Sequence, residues 1–259
     1  MPVIRFRGAD GSHVDVDPLK EDDMIDVELE FPFSMLRLVV EKILTLPGAL
    51  RPNRKSLGED EAGTLIGDPD LFIQTFEFPS IGFYLKNSRA LYDLRTSRNG
   101  TLVVHGFFNK IPRCLVEGIL PHMATAHPIF GFACAPEERK RRNRATIRQN
   151  IGTIESWVGR DTQKYIPGLY WWTLLPVSFA QRHGFPLSKV ASVALEHVEL
   201  DGHQHLFRFY EKPEDWDTAN ALAELYSSLP GVFDVDKIRP ALEATKTFWE
   251  LNAIADKWP

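Results

Sequence analysis

The segment from Thr153 to Pro176, TIESWVGRDTQKYIPGLYWWTLLP, constrains the fold more than any other part of the chain. It holds three of the six tryptophans (Trp157, Trp171 and Trp172) and two of the six tyrosines (Tyr165 and Tyr170). From Tyr165 to Gln181 no residue is charged. Aromatic side chains bury the most area per residue, so this run is expected in the middle of the core. Arg160 and Asp161 stand among the aromatics. In an apolar setting such a pair must be hydrogen-bonded to persist. The expectation is a structural ion pair that pins the Trp157 loop; the alternative is the floor of a site, with an acid and its charge-fixing partner.

The rest of the chain surrounds this run with ordinary soluble composition. In 259 residues, 44% apolar and 25% charged, there is ample material for a core, and one α+β domain over 1–259 is expected, with a possible subdomain joint at 48–70. A net charge of −5 argues against general nucleic-acid binding and permits a basic protein partner. Cys114 and Cys134 give neither a disulfide framework nor zinc spacing; both are expected as buried free thiols in a reducing compartment. The first ten residues lack the apolar stretch of a secretory signal, and the longest uncharged run is too short and proline-rich to span a membrane. A cytoplasmic location is expected.

Local patterns fill in the class. Two short alternating runs flank Asp10-Gly11 and predict a hairpin. Acids then accumulate: Asp15, Asp17, Glu21, Asp22, Asp23, Asp26, Glu28 and Glu30, with Lys20 among them, predict a solvated acidic face or a surface for something cationic. A helix is expected from a Ser34 cap to about Leu46, and a long loop over 48–70 carries Glu59, Asp60, Glu61, Asp68 and Asp70. Strands are expected at 71–78, 81–85, 90–95 and 102–108, the last two joined through Asn99-Gly100. A helix over 110–126, a buried strand over 128–135 and a basic, solvated helix from Pro136 follow. Further on come a helix from Val177 capped by Gly184, a hairpin through Asp201-Gly202, and helices over 213–229 and 235–255. The whole reads as α+β: a mixed, mainly antiparallel sheet with hairpins near 99–100 and 201–202, packed helices and a helical C-terminus.

No phosphate loop, nucleophile elbow or HExxH motif occurs. Two weaker sets suggest an enzyme. Gln149–Ile154 resembles the pyrophosphate loop of acetyltransferases, as in an acyltransferase-like enzyme, but Ile154 stands where a small residue is needed. His197, Glu199, His203 and His205 lie near one hairpin turn, where a metal site is geometrically allowed; polar outward faces of the hairpin are the plainer account.

The block Ile154-Glu-Ser-Trp-Val-Gly-Arg-Asp161, with Lys164-Tyr-Ile-Pro-Gly-Leu-Tyr-Trp-Trp172 after it and Pro128–Ala135 and Arg142-Asn143 before it, resembles bacterial immunity proteins encoded beside polymorphic or type VI secretion toxins. The class it resembles is immunity protein 52, over roughly 125–212. That resemblance implies a protein without cofactor or catalysis, which binds a cognate toxin, usually a nuclease of restriction-endonuclease-like fold, and blocks it. A nuclease presents a cationic cleft to phosphate, so the acidic segments (Asp15, Asp17, Glu21, Asp22, Asp23, Asp26; Glu59, Asp60, Glu61, Asp68, Asp70) are the expected toxin-facing surface. Trp157, Tyr165, Tyr170, Trp171 and Trp172 would then be scaffold. A generic interaction protein is the remaining alternative. Neither nucleic acid nor membrane is an expected partner.

Overall fold

The computed structural model describes residues 5–7, 13–15, 24–79, 82–108, 110–149, 152–200, 203–218, 222, 225, 228–245 and 247–255. All paired strands among the described residues run antiparallel. Two hairpins stand apart: β1 (Arg5–Arg7) with β2 (His13–Asp15), and β10 (Arg144–Gln149) with β11 (Gly152–Trp157). The other strands are β3 (Asp26–Phe31), β4 (Arg54–Ser56), β5 (Thr64–Leu65), β6 (Phe83–Lys86), β7 (Ala90–Thr96), β8 (Leu102–Phe108), β9 (Phe130–Cys134), β12 (Trp172–Pro176), β13 (Glu196–Leu200) and β14 (Gln204–Arg208). They form one ten-stranded sheet in the order β13-β14-β12-β9-β3-β8-β7-β6-β4-β5. The fold is α+β, as the sequence patterns indicated.

The strands flanking all three expected hairpin turns are paired as read. Thr96 opposes Leu102, with Gly100 at φ 74° in the turn. β13 and β14 pair from Glu196↔Arg208 to Leu200↔Gln204. Residues 201–202, and the Asp10-Gly11 turn between β1 and β2, lie outside the described residues.

The helices are α1 (Leu36–Leu44), α2 (Pro69–Thr75), α3 (Arg113–Glu117), α4 (Ile119–Ala124), α5 (Pro136–Asn143), α6 (Val177–His183) and α7 (Leu187–Ala191), followed by helices at Val235–Glu243 and Phe248–Ala255. Val27, Leu29 and Phe31 of β3 point to one face of the sheet. There Val27 and Leu29, with Tyr92 and Val104, meet Ile43 of α1 and Ile119 and Met123 of α4 around a void of 10 Å³, room for about one water. The Tyr92 hydroxyl is satisfied by the Leu50 carbonyl at 2.9 Å.

Several boundaries differ from expectation, each for a local reason. Ser34 does not cap α1; it lies within a 3-10 turn, Phe33–Met35, that precedes the helix. Residues 71–78 are not a strand. Asp68 accepts from the Asp70 and Leu71 amides (2.9 and 3.3 Å) and Pro69 takes the first helical position, so α2 starts there and buries Phe72. The helix expected over 110–126 is divided at Gly118 into α3 and α4, and Pro121 sits in the first turn of α4, where its missing N–H costs nothing. The 235–255 helix is likewise two, broken around 244–247. Segment 48–70 contributes β4 and β5 to the sheet edge.

The aromatic segment is divided between two cores. Tyr170, Trp171 and Trp172 are buried in the main core, whereas Tyr165 joins Val158, Phe233 and Leu242 in a smaller one. Ile166 bridges to Val232 in parallel, with the Ile166 amide on the Gly231 carbonyl (2.8 Å) and the Phe233 amide on the Ile166 carbonyl (2.9 Å). Trp157 departs from the expected burial: it is 40% exposed. Gly159 has φ 70°, and a Cβ built there would stand 2.1 Å from the Phe233 ring. Gly159→Ala is therefore expected to destabilise the protein by about 3 kcal/mol through overpacking and backbone strain, read as a lowered urea midpoint.

Candidate functional site

β3 reads Asp-Val-Glu-Leu-Glu-Phe, so a period of two places Asp26, Glu28 and Glu30 together on the face opposite α1. The strand lies between β8 and β9, and Glu28 is level with His105 on one side and Phe132 on the other. These three carboxylates are not on a solvated face: Asp26 and Glu30 are buried and Glu28 nearly so. This corrects the expected exposure of Asp26 as a toxin-facing residue.

The compensating charge comes from α5. Pro136 starts that helix directly after β9, and Arg139, 2% exposed, reaches back across the sheet. Its Nη2 donates to Glu28 and its Nη1 to Asp26 (3.4 Å) and to the His105 ring. The guanidinium lies over the Trp157 ring, 4.6 Å from its centroid. The basic helix is therefore only partly solvated: Glu138 is also buried, held by Arg142 at 2.9 Å and by the Tyr210 hydroxyl.

A second cation closes the set. Arg160 Nη2 donates to Glu28 Oε2 at 2.8 Å. Its neighbour Asp161 accepts from Asn99 Nδ2 at 2.7 Å and faces Lys164 at 3.6 Å. Arg160 and Asp161 are thus not an ion pair with each other; each ties segment 158–165 to a different partner. Glu30 accepts from the Thr101 and Thr162 hydroxyls, the latter at 2.7 Å.

Environment separates the carboxylates. Burial alone would raise Glu28, but the charges of Arg160 and Arg139 outweigh it and bring the group down to about 2. Burial of Asp26 is likewise outweighed by His105 and Arg139, and its pKa is lowered. At Glu30 burial prevails over the two hydroxyls, with Glu28 and Asp161 adding repulsion, and the pKa is raised. Burial and the Arg139 charge lower that of His105. Every carboxylate of the set is engaged by protein groups, so the arrangement is suited to holding β3, β8, α5 and the 158–165 segment together.

The acidic residues of the 57–70 lobe have a different setting. Glu59, Asp60, Glu61, Asp68 and Asp70 are exposed. Their backbone is held from beneath: buried Lys86 donates to the carbonyls of Glu59 (2.8 Å) and Glu61, and Arg54 to those of Ala62 (3.2 Å) and Gly63 (3.0 Å). Ser56 Oγ donates to the Gly58 carbonyl at 2.8 Å. Asp15 belongs to β2, and Asp17, Glu21, Asp22 and Asp23 lie outside the described residues.

The enzyme-like sets take other forms. Gln149 ends β10 opposite Gly152, where β11 begins, so the described part of 149–154 lies on paired strands; residues 150–151 lie outside the described residues. His197 Nε2 and His205 Nδ1 share a hydrogen bond of 2.9 Å. Among the described residues no three His, Cys, Asp or Glu side chains are gathered to hold a metal ion. Cys134 is buried, with burial raising its thiol pKa, whereas Cys114 is exposed rather than buried. No helix among the described residues is long and apolar enough to cross a membrane.

No protein-family model, curated protein or solved structure matches the chain.

Opposite outcomes are expected for two carboxylates on one strand. Glu28 keeps its charge in the folded state below the ordinary value of 4.5, so its contribution is complete above that pH and is lost as pH falls toward 2. Glu30 is raised, so its contribution is complete below 4.5 and is lost as pH rises through its folded value. In urea melts at neutral pH, Glu28→Gln is expected to cost about 3 kcal/mol by leaving two arginines under-compensated. Glu30→Gln is expected to be neutral or stabilising, within about 0.5 kcal/mol of the parent.

Proposed function

We propose that the chain is an immunity protein, which binds a cognate secreted antibacterial toxin in the cytoplasm of the producing cell and neutralises it stoichiometrically, without catalysis. The toxin class that fits is a nuclease with a cationic cleft. The observation that carries this reading is the acidic lobe at β4–β5, presented in a fixed shape. Lys86 and Arg54 hold the loop backbone, and Glu61 Oε2 adds a tie by accepting from the Leu57 amide at 3.1 Å, while Glu59 and Asp60 are exposed beside it and Asp68 and Asp70 follow at the start of α2. Leu57, Leu65 and Leu71 are exposed in the same segment, which adds apolar contact area beside the acids.

An acidic surface is steered toward a cationic cleft and complements it on contact. A loop already ordered loses little conformational freedom on binding, which favours tight association. The resemblance of Ile154–Trp172 to immunity proteins supports the same reading. The buried acids of β3 serve the fold in this reading, and the exposed acids serve the partner.

The test is co-expression with the toxin encoded in the neighbouring gene. A Glu59→Lys/Asp60→Lys variant, which leaves the Glu61 contact to the Leu57 amide in place, is expected to fold with an unchanged thermal melt and to lose protection against the toxin, with dissociation at least tenfold faster. Full protection by this variant would remove the lobe as the binding surface. Absence of any toxin gene or toxin binding would remove the immunity reading itself.

A further inference from the structure

The ten-stranded sheet ends on one side at β5, two residues long, and on the other at β13, a full five-residue strand. Among the described residues β13 is paired only through its β14 side, in unbroken register from Glu196↔Arg208 to Leu200↔Gln204. Its sequence, Glu-His-Val-Glu-Leu, contains no proline, lysine or bulge, and the only charged residues on it are Glu196 and Glu199. Val198 is 37% exposed on it, and Leu195, 55% exposed, stands just before it.

We propose that β13 is a dimerisation edge that pairs antiparallel with β13 of a second copy, the two-fold axis passing beside Val198. The strand is self-complementary in that register. Val198 falls opposite Val198 of the second copy, and His197 opposite its Glu199, twice by symmetry. His197 and Glu199 share one face of the strand, so each pair meets on the same side of the joined sheet. The imidazole is held in place for this contact: it stacks on Phe207 at 4.6 Å and 8° and hydrogen-bonds His205 at 2.9 Å. Glu196 does not oppose the pairing, because Arg208 already neutralises it at 3.0 Å. The register holds whichever residues direct their N–H and C=O outward, since a two-fold beside one residue matches its neighbours of either parity. The result is a continuous sheet across two copies, independent of the acidic lobe at the opposite end.

Sedimentation velocity of the purified chain from micromolar to near-millimolar loading tests this. The wild type is expected to shift from monomer to dimer as concentration rises. Val198→Lys, which sets two cations face to face at an exposed position, is expected to stay monomeric with an unchanged thermal melt. His197→Glu, which opposes two carboxylates, is expected to weaken the dimer at least tenfold, and His197→Glu/Glu199→Lys to restore it. A wild type that stays monomeric throughout overturns the proposal. So does a Val198→Lys variant that dimerises normally, or a charge-swapped double variant that fails to recover association.

Discussion

Arg139 carries a positive charge into the interior, and the architecture around β3 follows from the need to receive it. A buried guanidinium left without carboxylates is far costlier than an exposed one, and breaking such a set from one side costs several times what a surface ion pair contributes. Asp26 and Glu28 supply the negative charge from the centre of the sheet, His105 fills a further donor position, and Trp157 covers the guanidinium from outside. Geometry is demanding here, because a fork of fixed N–H directions must meet carboxylates two residues apart on one strand. The position of α5 immediately after β9 satisfies it. In turn Arg160, held by Glu28, fixes the segment that leads into the buried aromatics.

The acids of β3 and those of the 57–70 lobe are thus two different populations. One is internal and charge-compensated, and it contributes order rather than field. The other is external, at the far end of the sheet, and its side chains contribute field to the solvent while the backbone beneath is fixed by Lys86 and Arg54. Net charge does not distinguish them, although the first is enclosed by the fold and the second meets solvent.

Much of the fold was legible from short-range pattern. Asn99-Gly100 marked the β7–β8 turn, the all-apolar 130–134 run became the buried β9, and Gly184 ended α6 in the left-handed region. Legibility failed where a local signal competed with a stronger neighbour. The apolar run at 71–78 looked like a strand, yet the Asp68-Pro69 cap and first turn outweighed it. The site was harder still. Density of acid over 15–30 suggested a solvated face, but the informative feature was the period: acids at 26, 28 and 30 alternating with Val27, Leu29 and Phe31, the pattern of a strand with two different buried faces. Nothing local marked Arg139 as their partner or Thr101 and Thr162 as ligands of Glu30, because those choices are made by sheet register and by the path of segment 158–165. The adjacent Arg160 and Asp161 suggested a mutual pair for the same reason: contiguity in sequence was the only proximity visible.

The span of the network along the chain has a kinetic consequence. Glu28 to Arg160 and Glu30 to Thr162 are each separated by 132 positions, and Asp26 to Arg139 by 113. Closing loops of that length loses chain entropy before the contacts form, and topologies dominated by such separations fold slowly. Until α5 and the 158–165 segment arrive, β3 exposes three carboxylates whose mutual repulsion opposes collapse of that face. The polar face of β3 is therefore completed only by residues more than a hundred positions further along the chain, and its last partner in order is Thr162.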